Sequence, residues 1–386
     1  MSHPAAASLA TRAIHEDMDL AGVEVAPPVS LSTTFRHPNP EDGVEPGYAD
    51  DWDPSNPSRD VYARETKPTT TRAEHVLTSV IGAPTILYPS GISAFYAILL
   101  HVRPDVIAIT GGYGGCHEAI KIYRRTRGED QVELIKMDDE YPSGKNLLVW
   151  VETPLNPTGE SRSLKKYAEK AHAAGGFLGV DSTFGPPPLQ DPFKWGADIV
   201  MHSGTKYLNG HSDVLAGTVS VKDKADWVKL WNDRTFTGAN IGSMDVWLLL
   251  RSLRTLSIRV TRQSRTATAL AQWLATRAGD GVVGKVHHAA LQENAAELLG
   301  PGKQMELGPA CFSVVLRSKE IARALPNRLK LFVHATSLGG VESLIEHRII
   351  SDPKEDPRLV RLSIGLEDFE DLKEDWEQAS QAVKQL

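Results

Sequence analysis

Short apolar runs alternate with segments of helical periodicity through the middle of the chain. The runs cover residues 105–110, 146–153, 177–183, 197–203 and 216–221. Between the second and third runs, apolar positions recur at helical spacing, at Leu164, Tyr167, Ala168 and Ala171. Strands and helices that alternate in this way are typical of a mostly parallel sheet with helices on both faces. The pattern therefore predicts an α/β fold.

Two other stretches lie outside that alternation. From about Ala21 to Pro68 the chain is rich in Pro, Asp, Gly and Ser and shows no sustained period, which indicates an extended arm. An arm that reaches a neighbouring subunit is one interpretation, and a disordered terminus is the other. Beyond about residue 245, longer segments with helical periodicity precede further predicted strands. We expect an N-terminal arm over 1–60, a large cofactor-binding domain over 61–245 and a smaller C-terminal α/β domain over 246–386.

Composition narrows the classes of function. The net charge of −7 and the pI near 6.0 argue against nucleic acid as a partner, because surfaces that bind nucleic acid are usually basic. Two cysteines form no disulfide framework and favour a reducing compartment. The chain has no apolar run long enough for a membrane span and no signal-peptide core at its start. We expect a cytoplasmic protein without a membrane partner; a mitochondrial presequence remains the alternative, although early acidic residues speak against it.

Polar and ionisable residues follow the apolar runs at the points where the predicted strands end. GGYGG follows the first run and TPLNPTGE the second, Asp181 stands near the end of the third, and the fourth leads into Thr205 and Lys206. Ligands of open α/β sheets bind outside the carboxyl ends of the strands. We therefore expect these groups to gather at one rim of the sheet.

The residue types at this rim suit pyridoxal phosphate (PLP). A lysine amine condenses with the aldehyde of the cofactor, and Lys206 is the candidate. A carboxylate next to the pyridine nitrogen keeps that nitrogen protonated, so that the ring withdraws electrons from the substrate, and Asp181 is placed for this. Tyr113 is placed to stack on the ring.

The phosphate of PLP needs N–H groups at a helix start together with hydroxyl donors. SGISAFYAILL predicts a helix that begins around Gly91 and Ile92, and Ser203 and Thr205 supply hydroxyls beside the lysine. Each residue alone has a simpler interpretation, such as a surface lysine or a turn aspartate. The chain shows neither the dinucleotide GxGxxG order after the first run nor P-loop spacing around the lysine, and its histidines show no metal-ligand spacing. We therefore predict no metal site.

The ordered series of motifs resembles the PLP-dependent enzymes of cysteine and methionine metabolism, which include cystathionine γ-synthase, cystathionine lyases and methionine γ-lyase. VYARETKPTT is similar to the family's subunit-crossing phosphate motif, YPSGISA to its glycine turn, and ETPLNPTG to its asparagine segment. VDSTFGPPPLQDPFKWGADIVMHSGTKYLNGHSDVLAG resembles the signature around the cofactor lysine, and TSLGGVESLIEH and VRLSIGLED resemble the substrate segments. This likeness covers most of the chain. It implies a fold-type I PLP-dependent transferase with a mostly parallel, seven-stranded type of sheet.

The resemblance also implies roles for individual residues. PLP would bind covalently to Lys206 and pair with Asp181, and Tyr113 would stack on the ring and take part in proton transfer. The other implied cofactor contacts are Gly91, Ile92, Thr183, Ser203 and Thr205 of the same subunit, with Tyr62 and Arg64 from its neighbour. Arg361 would bind the substrate α-carboxylate, assisted by Asn156 and Ser337, because a guanidinium matches a carboxylate in shape and charge. A homotetramer built from two catalytic dimers is implied.

Four positions depart from the family pattern. Thr336 stands before SLGG where many members carry Glu, and Glu118 stands where several carry an arginine for a distal substrate carboxylate. Lys67 replaces the usual Asn of the arm motif, and Arg348 follows EH where Pro is common. The departures indicate a divergent branch and leave recognition of the distal end of the substrate open.

We predict γ-substitution on an activated homoserine such as an O-acyl-homoserine, with Lys206 taking the α-proton. A thiol is the usual nucleophile, and a carbon nucleophile such as an enolate also fits the missing arginine. Elimination from cystathionine or a related sulfur amino acid, as in the β- and γ-lyases, is the alternative. A PLP-binding protein without turnover is the third hypothesis.

Overall fold

Helices and strands alternate through the first part of the chain, as the apolar pattern predicts. The computed structural model describes residues 7–20, 22–37, 39, 41 and 53–386. Its first elements are helices α1 (Leu9–His15), α2 (Pro68–Ile81), α3 (Gly91–Val102), α4 (Gly114–Arg127), α5 (Leu164–Ala173) and α6 (Lys224–Thr237). They alternate with strands β1 (Thr85–Tyr88), β2 (Val106–Ile109), β3 (Glu133–Ile135), β4 (Leu147–Glu152), β5 (Phe177–Asp181), β6 (Ile199–Ser203) and β7 (Gly217–Val221).

These strands form one seven-stranded sheet in the order β1-β7-β6-β5-β4-β2-β3. Neighbours from β6 to β3 pair in parallel, whereas β7 is antiparallel to both β1 and β6. Alternate residues of β4 enter different cores: Leu148 and Trp150 pack with α3 and α4, and Val149 and Val151 pack with α5. A strand buried on both faces needs a continuous apolar run, which explains the text LLVWV. The predicted α/β class and the mostly parallel sheet are confirmed.

The second half of the chain adds a smaller sheet. Its elements are α7 (Ser243–Leu253), α8 (Leu256–Ala275), β8 (Val283–His287), α9 (Ala295–Leu298), β9 (Cys311–Leu316), α10 (Lys319–Ala324), β10 (Val333–His334), β11 (Leu344–His347), β12 (Leu359–Ser363) and α11 (Phe369–Val383). The five strands lie in the order β10-β11-β12-β9-β8. One apolar core links α2, α7 and α8 with this sheet, through side chains such as Val76, Leu249 and Phe312. The division at residue 245, two residues into α7, stays a prediction.

The described part of the predicted arm contacts its own chain. Asp17, just after α1, is buried and receives hydrogen bonds from Arg254 at 2.7 Å and from Arg72 at 3.2 Å. Farther on, Trp247 donates to the carbonyl of Pro27 at 2.7 Å. Residues 42–52 of the predicted arm lie outside the described residues, and contacts of the arm with a neighbouring subunit stay a prediction.

Candidate active site

The carboxyl ends of four adjacent strands form the rim on which the site is built. β4 ends at Glu152 and β5 at Asp181, which are register partners, while β6 ends at Ser203. The end of β2 leads into the turn that carries Tyr113. The expectation that these segments share one edge of the sheet is confirmed by the strand order.

Lys206 lies in the turn after β6, with its backbone N–H bonded to the carbonyl of Ser203 at 3.1 Å. Its Nζ donates to Ser337 Oγ at 2.8 Å. Burial, aided by the positive charge of Arg361, lowers the pKa of Lys206 to about 8. A much larger share of this amine is therefore neutral near pH 7 than for an ordinary lysine, and only the neutral amine attacks a carbonyl carbon.

The start of α3 forms a cradle that suits a phosphate. Ser90 caps the helix by accepting from Ser93 N–H at 3.1 Å. No hydrogen bond within the described residues uses the N–H groups of Gly91 and Ile92, which belong to the first turn and have no intrahelical partner. A β-carbon on Gly91 would lie 3.0 Å from Ser203 Oγ. The predicted helix start and the serine hydroxyl therefore meet, and positive helix ends favour anions.

The ring of Tyr113 lies beside this cradle. A β-carbon on Gly115 would come within 2.5 Å of the Tyr113 ring and within 2.8 Å of Ile92. Tyr113 is half exposed, and its backbone N–H donates to Glu152 Oε2 at 2.6 Å. The ring is thus free to cover a planar ligand between the helix start and the strand ends.

Two threonine hydroxyls at the site bond to the backbone. Thr183 Oγ1 accepts from Ser203 N–H at 2.9 Å, and Thr205 Oγ1 accepts from Ala216 N–H at 3.1 Å. Both therefore fix the shape of the turn after β6. Thr205 also donates its hydroxyl to the carbonyl of Ala216 at 3.3 Å, and the Thr183 hydroxyl bonds to Asp181, so the single proton of each hydroxyl is already used. Their implied contacts with the cofactor stay a prediction.

A buried carboxylate that the sequence analysis did not single out, Glu152, lies next to Asp181. Its two oxygens accept the backbone N–H groups of Tyr113 at 2.6 Å and Asn156 at 2.7 Å. Burial raises the pKa of Glu152, and the negative charge of Asp181 raises it further. Burial also raises the pKa of Asp181, although the hydroxyl and N–H of Thr183 oppose the shift. The sequence feature that could have indicated Glu152 is its place as an acidic residue at the end of a long apolar run.

Arg361 lies on β12 of the small sheet. It is buried, and it donates to Asn156 Oδ1 at 3.0 Å and to the carbonyl of Ser337 at 2.9 Å. Because Ser337 also accepts from Lys206, one residue links the amine to the guanidinium. Ser337 has a φ of 81°, a strained value for a non-glycine residue of the kind that concentrates at functional sites.

A close approach of two loops holds Ser337 near the lysine. Gly339 has a φ of 80°, and a β-carbon there would lie 2.8 Å from the backbone nitrogen of Tyr207. Only glycine fits this contact without a shift. The loop that carries Ser337 is therefore packed directly on the lysine turn.

A second carboxylate that the sequence analysis missed, Glu346, faces Arg361. The two are register partners on β11 and β12, and Glu346 Oε2 lies 2.6 Å from Arg361 Nη2. Arg348 donates to both oxygens of Glu346, at 3.0 and 3.1 Å. A glutamate within the apolar text of a buried strand was the available signal, but its partner depends on strand register, which the sequence does not reveal.

Tyr62 and Arg64 are not brought to the lysine. They stack on each other, with Arg64 Cζ 5.2 Å from the centre of the Tyr62 ring. In the part of the chain that the structure describes, no contact joins either residue to Lys206, Asp181 or Ser203. Their implied role at a neighbouring subunit stays a prediction.

Three of the departures from the family pattern lie at distinct places. Lys67 is buried and its Nζ donates to the carbonyl of Ile241 at 2.6 Å. Glu118 is exposed and pairs with Lys121 at 2.7 Å, and Thr336 is exposed in the loop before Ser337. The described residues contain no cluster of three or more side chains that suits a metal ion, and none of their helices is long and apolar enough to cross a membrane.

Comparison with known proteins agrees with this geometry. The model of the family described as Cys/Met metabolism PLP-dependent enzyme matches residues 10–381. Cystathionine gamma-lyase of Saccharomyces cerevisiae is 33% identical over 96% of this chain and 96% of its own. Cystathionine gamma-synthase of Escherichia coli is 33% identical over 98% of each chain.

A solved structure gives the same result for the fold. The crystal structure of metB from Corynebacterium glutamicum superimposes with a TM-score of 0.85 at 29% identity, covering 99% of this chain and 100% of that one. The fold is thus the fold-type I arrangement that the motifs imply. With the sheet, the lysine turn and these relatives in agreement, the chain belongs to the PLP-dependent enzymes of cysteine and methionine metabolism.

Proposed function

We propose that this PLP-dependent enzyme catalyses γ-substitution on an O-acyl-homoserine. The observation that carries the proposal is the link from Lys206 through Ser337 to Arg361, by hydrogen bonds of 2.8 and 2.9 Å. An amino acid whose carboxylate binds Arg361 would have its α-carbon within reach of the Lys206 amine. Removal of the α-proton is the first step of any reaction that reworks the side chain of an amino acid on PLP.

The residues of the rim fit PLP as a resident group. Lys206 offers an amine of lowered pKa, Asp181 a buried carboxylate, and the first turn of α3 free N–H groups for a phosphate. The ring of Tyr113 would cover one face of the cofactor. Bound PLP supplies an electron-withdrawing ring that stabilises negative charge at the substrate α-carbon.

Individual side chains of the site have separate roles in this reaction. Asp181 is buried, and its carboxylate would pair with the pyridine nitrogen of bound PLP and favour the protonated form of that nitrogen. Lys206 removes the α-proton, passes it on and then removes a β-proton, so that the leaving group departs from the γ-carbon with its electron pair. Once the nucleophile has bonded to the γ-carbon, Lys206 returns protons to the β- and α-carbons, and a pKa near neutrality suits both directions of transfer. Arg361 and Asn156 hold the carboxylate, and Tyr113 assists proton transfer from its half-exposed position.

We further infer that Tyr62 and Arg64 complete the phosphate site of a neighbouring subunit in a homotetramer. The support is that their described contacts leave them outside their own lysine site. A mixture of Arg64→Ala and Lys206→Ala subunits, dissociated and reassembled, should regain activity that neither variant has alone. If both residues served the same subunit, the mixture would stay inactive.

The residues near the distal end of the substrate bear on the choice of nucleophile. Glu118 stands where several members of the family carry an arginine for a distal carboxylate, and Thr336 stands where many carry Glu. The missing arginine favours a thiol or carbon nucleophile without a distal carboxylate. Relatives named lyase and synthase match to the same extent, so elimination is the competing reaction.

A substrate panel separates these reactions. The holoenzyme should consume O-acetyl-L-homoserine slowly alone and faster with an added thiol or enolate donor, with the nucleophile found at the γ-carbon of the product. Rapid release of a keto acid and ammonia from cystathionine or methionine, with no nucleophile incorporated, would overturn γ-substitution in favour of elimination.

A further inference from the structure

A buried group of three charges lies behind the carboxylate-binding position. Glu346 stands between two guanidinium groups: its Oε2 is 2.6 Å from Arg361 Nη2, and both of its oxygens accept from Arg348 Nη1. Ser351 also donates its hydroxyl to Glu346 Oε1. The side chains of Glu346, Arg361 and Arg348 are only 4%, 6% and 12% exposed, so water screens their charges weakly.

The charge of this group is unbalanced. Two arginines and one glutamate leave an excess of one positive charge, and a substrate α-carboxylate on Arg361 would neutralise it. With Arg348 removed, Glu346 and the substrate carboxylate would share the single charge of Arg361. Two anions on one cation in a buried site are costly, because each uncompensated charge keeps its desolvation penalty.

The placement of Arg348 differs from that of an ordinary surface ion pair. It contacts both carboxylate oxygens, and its Nε is buried without a hydrogen-bond partner among the described residues. Its other acidic neighbour, Glu355, lies 4.0 Å away with a side chain that is 25% exposed, so solvent weakens that interaction. The buried interaction of Arg348 is therefore the one with Glu346.

We propose that Arg348 is a positioning residue for substrate binding. By holding Glu346, it frees Arg361 to accept the α-carboxylate of the substrate in place of its internal partner. The inference rests on the proposed role of Arg361 and adds to it a requirement for charge balance that extends beyond the residues in contact with substrate.

The test uses the holoenzyme and two ligands that differ in one group. L-Norleucine has no leaving group, and L-norleucinamide lacks the carboxylate; both are titrated by the change in cofactor absorbance. Arg348→Met should raise the Kd of norleucine about tenfold, equivalent to about 1.4 kcal/mol, and leave that of norleucinamide unchanged. Arg348→Lys should restore part of the affinity. Arg358→Met is the matched control, because Arg358 is half exposed and pairs with Asp356.

A double variant distinguishes loss of charge balance from general disruption of the fold. Glu346→Gln in the Arg348→Met background removes the uncompensated anion, so norleucine affinity should return to within about twofold of the parent if charge balance is the cause. An equal loss of affinity for norleucine and its amide, or no recovery in the double variant, would overturn the proposal.

Failure of the inference and failure of the proposed function give different results. If Arg361→Met abolishes discrimination between norleucine and its amide while Arg348→Met does not, Arg361 is the clamp and only the role of Arg348 is wrong. If Arg361→Met leaves the discrimination intact, the assignment of Arg361 itself fails.

Discussion

Two groups of buried charged residues border the site, and their charges are unbalanced in opposite directions. On the large sheet, Glu152 and Asp181 lie side by side at the ends of parallel strands and bond only to N–H and hydroxyl groups within the described residues. On the small sheet, Glu346 is held between Arg361 and Arg348. The first group has an excess of negative charge and the second an excess of positive charge.

Each imbalance matches one part of the proposed complex. A protonated pyridine nitrogen would supply the cation that the first group lacks, and an α-carboxylate would supply the anion that the second group lacks. The first arrangement is unfavourable for folding alone, because burial raises the pKa of both of its carboxyl groups. Strain and uncompensated charge of this kind are expected where a ligand completes the site.

The largest effect is expected from Lys206, the residue to which the cofactor would bind. Lys206→Ala should remove both covalent attachment of the cofactor and proton transfer, and lower kcat on the order of 10⁴-fold. Borohydride reduction of the parent holoenzyme followed by peptide mapping should label Lys206. Lys166→Ala, a change on the exposed surface of α5, should leave labelling and activity intact. Label on any other lysine would refute the assignment.

A smaller loss of activity is expected when the charge of Asp181, on the large sheet, is removed. Asp181→Asn keeps the size of the side chain but removes the charge that favours a protonated ring nitrogen. We expect kcat to fall on the order of 10²–10³-fold, as for loss of one preorganised electrostatic group. The absorbance of bound PLP should also become sensitive to pH near neutrality, which a purely structural role would not cause. An unchanged spectrum between pH 6 and 9 would contradict the role.

The core of the site could be predicted from sequence because strand ends in an α/β sheet fall at one rim. Lys206 and Asp181 lie at or just after the ends of apolar runs that predict buried strands, so topology brings them together. The start of α3 was equally clear, since Ser90 offers a capping hydroxyl just before Gly91.

The supporting carboxylates could not be predicted in the same way. A glutamate at the end of an apolar run, such as Glu152, is equally consistent with a solvent-facing strand end, and its partners Tyr113 and Asn156 come from two separate loops. The pairing of Glu346 with Arg361 requires the register of two antiparallel strands. Sequence therefore indicates which groups face the ligand more readily than which groups hold them.

The smallest effect is expected for Glu152, one of the two carboxylates on the large sheet, and it concerns how the stability of the protein depends on pH. Because the pKa of Glu152 is raised above its ordinary value of 4.5, the folded protein binds the proton more tightly than the unfolded chain does. The stability linked to that proton is full below about pH 4.5 and is lost as pH rises through the higher folded value. Glu152→Gln removes this loss. The Tm of the variant apoprotein should therefore rise relative to that of the parent as pH increases, by roughly a few degrees.

Glu160→Gln provides the matched control for this measurement. Its hydrogen bond to His287 lowers the pKa of Glu160, so its stabilising contribution is present above the ordinary value and is lost toward acid. Relative to the parent, the control variant should therefore lose stability as pH rises, the opposite pH dependence to Glu152→Gln. Added PLP should shrink the advantage of Glu152→Gln, since the ring nitrogen supplies the missing cation. A Tm difference for Glu152→Gln that is independent of both pH and PLP would show that Glu152 acts only through its hydrogen bonds.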